Sequence, residues 1–281
     1  MIDAGHLSRA LTERFGLEVE AIASIENDGQ KILISPCGIE RTISFRVELH
    51  LGWRTVSAAF VPGNYAFGLV AGMKAAAPSQ QAAFAVFSDS LKSKGARISL
   101  LMDSNQFDAS VPSSWPSDWG TIHISMKKVG VVVEKSSGYD FDTTFPWATG
   151  FFGLALALLP LEEVDESAIE GESEGATLLK LVKQYERSRI NRAACIEIHG
   201  TACRICGFDF GVQFGDLGEG FIHVHHIVPV SEMGGSYSLD PGKDLLPVCP
   251  NCHAMLHRRK PALTPDELLC IRKRRIESHQ P

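Results

Sequence analysis

The sequence predicts an α+β protein of two domains. Segments rich in β-branched and aromatic residues are concentrated in the first half of the chain, with no βαβ repeat, which favours separate strand and helix regions. An acidic stretch near the middle has the composition of a linker. Two closely spaced cysteine pairs follow it. We therefore expect a mixed α/β, sensor-like domain at 1–160, a linker at 161–176 and a second domain at 177–281.

The first domain is predicted to combine a sheet with three helices. Partial alternation of apolar and polar residues predicts strands at 31–35, 42–53, 55–61, 96–103 and 120–134. Alanine-rich segments broken by Pro78 predict two helices between Tyr65 and Lys94, and an apolar segment predicts a third at 147–159. The stretch 104–120, rich in Ser, Pro and Asp, is predicted to be a long loop. Because it carries Trp115 and Trp119, it is a candidate for ligand contact.

Composition places the chain among ordinary globular proteins, with 44% apolar and 21% charged residues. The apolar run GFFGLALALLP at 150–160 is too short for a bilayer, which needs about 20 helical residues. The N-terminus mixes acidic and basic residues and resembles no secretory signal. We therefore expect a cytoplasmic protein with no membrane partner, in which cysteines are reduced or bound to metal.

The net charge of −6 is unevenly distributed along the chain. The segment 161–175 has seven acidic residues and no basic one, as expected of a self-repelling linker. From residue 176 onwards, 14 Lys and Arg face 11 Asp and Glu, a balance of +3, whereas the rest of the chain carries −9. The C-terminal cations are clustered, which favours contacts with nucleic-acid phosphates. The candidates for these contacts are Arg189, Arg192, Arg258, Arg259 and Lys260.

Two C-x-x-C pairs predict a structural zinc site. CRIC at 203–206 and CPNC at 249–252 are separated by 42 residues. Four thiolates suit tetrahedral Zn²⁺, and each pair can supply two of them without strain. The expected ligands are Cys203, Cys206, Cys249 and Cys252. The cysteines at 195 and 270 fall outside this pattern and are expected to be buried.

Histidines are concentrated between and after these pairs. In HVHH at 223–226, strand alternation places His223 and His225 on one face and His226 on the other. In CHAMLH at 252–257, Pro250 suits a helix start, so that His253 and His257 are stacked at i and i+4. A helix and a strand that both offer imidazoles predict a metal site with open positions.

This arrangement resembles the HNH endonuclease family, which has the ββα-metal fold, in its four-cysteine zinc form. The resemblance covers about 185–265 and includes the McrA-like restriction nucleases and the colicin DNases. It implies that His226 is the general base, that His225 is the first ligand of a catalytic ion, and that His253 and His257 are its helix ligands. Asp244 falls where the family's middle Asn holds the loop behind the base. An ionised Asp accepts hydrogen bonds but donates none, so this substitution is a departure from the family.

The expected chemistry is hydrolysis of a phosphodiester bond. An all-imidazole site suits Zn²⁺, Ni²⁺, Co²⁺ or Mn²⁺ better than Mg²⁺, which prefers oxygen ligands, and the residues leave the identity of the working ion open. The resemblance implies that the substrate is DNA rather than RNA. Cleavage of both strands by nucleases with one site each would favour a homodimer.

Three functions remain open at the level of sequence. The family analogy predicts a restriction or phage-defence nuclease whose first domain recognises a modified base or another DNA feature. A zinc-stabilised module that binds nucleic acid without cleaving it would need only the cysteines and the cations. The third function is a nuclease controlled by a protein or small-ligand sensor, because an acidic first domain is poorly suited to binding DNA phosphates.

Overall fold

The computed structural model describes residues 2–132, 139–160, 189–227, 239–259 and 262–277. The chain divides into two compact units, Met1–Ala193 and Ala194–Pro281. The predicted α+β class is confirmed, since helices and antiparallel sheets occur together. The linker predicted at 161–176 and the domain start predicted at 177 lie outside the described residues and stay predictions.

The first unit is built on an antiparallel sheet. Its strands are β1 (Val19–Glu26), β2 (Gly29–Pro36), β3 (Phe45–Gly52), β4 (Thr55–Pro62), β5 (Arg97–Met102), β6 (Asn105–Phe107) and β7 (Ile122–Val129). They are ordered β1-β2-β3-β4-β7-β5-β6 over the described residues. Buried residues alternate with partly exposed or exposed ones along β3 and β7. One face of the sheet is therefore the core face.

Helices form the other side of this core. They are α1 (Ala4–Phe15), α2 (Phe67–Lys74), α3 (Pro78–Ser93) and α4 (Phe141–Ala157). The ring of Phe15 lies 5.5 Å from that of Phe152 and 6.5 Å from that of Phe87, centroid to centroid. A Cβ at Gly153 would lie 2.5 Å from the ring of Phe87, so this glycine allows α3 and α4 to pack closely.

The sequence analysis missed helix α1 and strand β1, and it misplaced two other elements of this unit. The region predicted as a loop at 104–120 contains the short strand β6, because Asp103 and Ser104 both adopt positive φ and turn the chain into a hairpin. Helix α4 begins at Phe141, six residues before the predicted start. The carboxylate of Asp140 caps it by accepting a 2.8 Å hydrogen bond from the amide of Thr143.

The second unit contains a ββα arrangement. The chain enters it within helix α5 (189–199) and continues through α6 (Phe210–Phe214), β8 (His223–His226), β9 (Leu245–Val248), α7 (Pro250–Leu256) and α8 (Pro265–Glu277). Strands β8 and β9 are antiparallel, with His225 opposite Leu246. Helix α7 follows β9 directly and packs on β8. Among the described residues, no helix has the length and apolar character to cross a bilayer.

Candidate functional site

Four cysteines converge in the second unit. One sulfur atom from each of Cys203, Cys206, Cys249 and Cys252 lies within 4.8 Å of all the others. The sulfur atoms of Cys206 and Cys249 are 3.6 Å apart. Zinc bound tetrahedrally with Zn–S bonds of about 2.3 Å separates its sulfur ligands by about 3.8 Å. The quartet therefore fits one Zn²⁺ ion.

Local turns bring these sulfur atoms together. In the first pair, the amide of Gly207 donates to the carbonyl of Cys203 at 2.7 Å, and the φ of +76° at Gly207 is one that glycine adopts without strain. In the second pair, Cys249 caps α7, and its sulfur accepts a 3.4 Å hydrogen bond from the amide of Cys252. The amide of Arg204 donates to the carbonyl of Pro247 at 3.0 Å, which joins the first pair to β9.

The thiols affect one another's ionisation. Burial opposes ionisation of Cys203, but hydrogen bonds from the main chain at Cys249, Cys206 and Ile205 lower its pKa to about 7. Burial raises the pKa values of Cys206 and Cys252, and their sulfur neighbours raise them further. Four thiolates at these distances need a cation to balance their charge.

The two remaining cysteines of the C-terminal part differ in their exposure to solvent. Cys195 is buried, as expected. Cys270 is exposed, so the expectation that it is buried is wrong. It lies on α8, and among the side chains of this helix that the structure describes, Leu268 is the one buried in the core.

Three imidazoles form a second cluster. One ring nitrogen from each of His225, His253 and His257 lies within 4.8 Å of the other two. The ring of His225 is 5.4 Å from that of His253 and 5.0 Å from that of His257, centroid to centroid. Three nitrogens that bind one ion at about 2.1 Å, with angles of about 90–120° between the bonds, lie about 3.0–3.6 Å apart, and the three rings are close enough together to form such a site.

Burial favours the neutral form of two of these imidazoles. His225 is only 5% exposed, and burial, together with the nearby His257, His253 and His226, lowers its pKa to about 4. Burial also lowers the pKa of His253, with contributions from His257 and His223. A neutral imidazole offers a nitrogen lone pair, which is the form that binds a metal ion.

The predicted general base lies beside this cluster. His226 is half-buried at the end of β8, and strand alternation places it on the face opposite to His225. The next amide, that of Ile227, donates a 2.8 Å hydrogen bond to the carbonyl of Asp244. The carboxylate of Asp244 accepts a 2.6 Å hydrogen bond from the amide of Asp240. Asp244 therefore holds both the end of β8 and the turn that precedes β9.

Sequence reasoning gave no firm role to two further histidines. The ring of His223 lies 5.3 Å from that of His253 and 6.1 Å from that of Phe221. The period-two spacing of HVHH is the signal that places His223 beside His225. The ring of His199, at the end of α5, forms a 3.0 Å hydrogen bond with the carbonyl of Gly242, in the turn before Asp244. The sequence contains no signal for this contact.

The predicted phosphate contacts are divided between the two units. Arg258 is exposed just after α7, and the neighbouring Arg259 forms a 2.6 Å ion pair with Glu267. Arg189 and Arg192 are half-buried and belong to the first unit. Lys260 lies outside the described residues.

Comparisons with known proteins agree with this geometry. The sequence model of the HNH endonuclease family matches residues 203–259. The chain is 30% identical over 108 residues to the type IV methyl-directed restriction enzyme EcoKMcrA of Escherichia coli (strain K12). This match covers 38% of the chain and 37% of that enzyme. No solved structure matches the chain. The C-terminal part of the chain therefore carries an HNH endonuclease domain of the McrA-like type, and this domain contains the four-cysteine cluster.

Proposed function

We propose that this protein is a metal-dependent endonuclease that hydrolyses phosphodiester bonds in DNA. One observation carries the proposal: the convergence of His225, His253 and His257 next to His226. Hydrolysis needs a group that takes a proton from water and a separate centre that stabilises charge on the phosphate. Adjacent residues on opposite faces of one strand can serve both needs.

His226 is assigned as the general base. In its neutral form, its imidazole can accept the proton of the attacking water. The hydrogen bond between the amide of Ile227 and the carbonyl of Asp244 holds the end of β8 and therefore orients this imidazole. In this role Asp244 is a positioning residue.

The three other imidazoles are assigned as ligands of a divalent ion. When bound, such an ion stabilises negative charge on the phosphate and on the leaving 3′ oxygen. The nitrogen donors favour Mn²⁺, Ni²⁺ or Zn²⁺ over Mg²⁺, which prefers oxygen. Arg258, which is exposed beside His257, is assigned to a flanking phosphate.

We further propose a role in restriction or phage defence, with the first unit directing the nuclease to a modified base or another DNA feature. The support is the relative whose name describes a methyl-directed restriction enzyme. A double-strand cut would require two such sites, which favours a homodimer.

The rival function is a zinc-stabilised module that binds nucleic acid without cleaving it. It would use the cysteines and cations alone and would leave the imidazole cluster without a purpose. The test is to incubate the full chain with modified and unmodified plasmid DNA and Mn²⁺, Ni²⁺ or Mg²⁺. We expect cleavage, and a loss of at least about 100-fold in the His226→Ala variant. His50→Ala, in the first unit, is the control and should cleave like the parent.

Equal cleavage by His226→Ala and the parent would remove His226 from the mechanism. Binding without cleavage, under every metal and with both DNAs, would favour the rival. Cleavage of modified DNA alone would support targeting by the first unit.

A further inference from the structure

The first unit contains a cavity of about 300 Å³. It lies between α2 and the segment that leads into β7, and its walls include Phe67, Val70, Ala71 and Trp119. This volume is at the lower end of the range of small-molecule pockets, about 300–1,000 Å³. Nothing in the proposed nuclease chemistry uses this cavity.

One wall is an apolar face of a helix. Phe67, Val70, Ala71 and Lys74 line the cavity, at positions i, i+3, i+4 and i+7 of α2. A neighbouring side of the same helix, about 110° around its axis, is anchored by Met73, which is buried. Phe67 is nevertheless 74% exposed. A helix that is apolar on both sides is normally covered on both, so this face is suited to a further apolar contact.

A second wall comes from a gap in the sheet. The pairing of β4 with β7 runs as far as Phe60 opposite Ile124, although each strand continues for two more residues, to Pro62 and from Ile122. Both of these end residues line the cavity. The space therefore opens where the two strands stop pairing, next to a proline that has no N–H to donate.

The wall that carries Trp119 is held in place without a ligand. The carboxylate of Asp103 accepts hydrogen bonds from the amides of Gly120 and Thr121, at 3.0 and 2.9 Å. It also accepts one from the hydroxyl of Thr121, at 3.2 Å. Trp119 is 6% exposed, so its ring is fixed by packing. A preformed wall reduces the entropy cost of binding.

The charges around the cavity are already balanced. Lys74 and His123 are the lining residues that can carry a positive charge. The ammonium group of Lys74 lies 2.7 Å from the carboxylate of Asp118, to which it is paired. The carboxylate of Asp103 is satisfied by the segment 120–121. A neutral ligand leaves both of these contacts in place.

We propose that this cavity binds one uncharged, flat aromatic or heteroaromatic small molecule. Its ring would lie against Trp119 and the Phe67 face of α2, with the imidazole of His123 at the rim for a hydrogen bond. The first unit would then be a ligand-binding unit. This inference does not depend on the nuclease function, because it concerns binding to the first unit alone.

A pair of probes tests the inference on the full chain. N-phenyl-1-naphthylamine is a neutral aromatic fluorophore, and 8-anilino-1-naphthalenesulfonate has the same rings with an added sulfonate. We expect saturable binding of the neutral probe at one site per chain, with quenching of tryptophan emission. The sulfonate should bind at least about tenfold more weakly. Equal or tighter binding of the sulfonate, or no saturation by the neutral probe, would overturn the proposal.

Two variants locate the site. Ala71→Trp fills the cavity from an exposed position of α2 and should weaken binding of the neutral probe at least about tenfold. Phe67→Ala removes a wall without filling the space and should weaken it several-fold. Gly68→Ala, on the same helix, is the matched control: its added methyl group would meet no atom within 4 Å, so this variant should bind like the parent. Parental affinity in both cavity variants, with circular dichroism unchanged, would refute this site.

Discussion

The main-chain carbonyl of Asp244 accepts a 2.8 Å hydrogen bond from the amide of Ile227, the residue that follows His226. The carboxylate of the same residue accepts a 2.6 Å hydrogen bond from the amide of Asp240. One residue therefore fixes both the end of β8 and the turn that precedes β9. The side-chain contact requires only an acceptor, which Asp supplies as well as Asn would.

The role of Asp244 as an acceptor predicts different effects of two substitutions. Asp244→Asn keeps an oxygen for the amide of Asp240 and should retain cleavage within about threefold of the parent. Asp244→Ala leaves that partly buried amide without its acceptor and should lower the free energy of unfolding of the second unit by about 1 kcal/mol. Chemical denaturation and plasmid cleavage check both. Equal damage by the two substitutions would show that the negative charge itself is required.

Removal of zinc should unfold the second unit and spare the first. Three of the four cysteines belong to the small buried core of this unit, together with Ile196, Ile205, Ile222, Val248, Leu256 and Leu268. Chelation, or Cys252→Ala, should abolish its thermal transition while that of the first unit persists. Cys270→Ser is the matched control, since this exposed cysteine lies outside the quartet. A second transition that survives with no zinc bound would contradict the structural role.

The cations after α7 should contribute unequally to DNA binding. Arg259 is paired with Glu267 at 2.6 Å, whereas Arg258 is exposed. Arg258→Ala should weaken binding and reduce the slope of log K against log salt by about 1. Glu267→Gln, which keeps an oxygen for the amide of Thr264, should free Arg259 and tighten binding. Fluorescence anisotropy at several salt concentrations measures both, and an unchanged slope in Arg258→Ala would exclude a phosphate contact.

The first unit should lose stability in acid through Asp103. Hydrogen bonds from the amides of Gly120 and Thr121 hold the pKa of this carboxyl below its ordinary value. Its contribution to stability is therefore present above the unfolded pKa of about 3.9 and is lost as pH falls through the lower folded value. Unfolding curves between about pH 2 and 6 should show a smaller acid loss in Asp103→Asn, which tolerates the positive φ at this position. The exposed Asp89→Asn is the control. An identical acid loss in Asp103→Asn and the parent would contradict this account.

The sequence predicted the parts of the site that depend on local spacing. The C-x-x-C pairs and the i, i+4 histidines of CHAMLH bring their ligands together through single turns, so the pattern alone indicates the chemistry. Strands such as β3 were predictable because buried residues alternate along them. Strand β1 was not, because only Val19 is buried and no alternation results. The contact of His199 with Gly242 joins residues 43 positions apart and leaves no trace in composition.

Metal uptake tests most directly the central claim that His225, His253 and His257 bind one ion apart from the cysteine site. The zinc-loaded full chain should be titrated with Ni²⁺ by calorimetry, with zinc content measured in parallel. We predict one additional ion per chain in the parent and in His50→Ala. His253→Ala and His257→Ala should take up none while keeping their zinc. No additional ion in the parent, or undiminished uptake in both variants, would contradict the account.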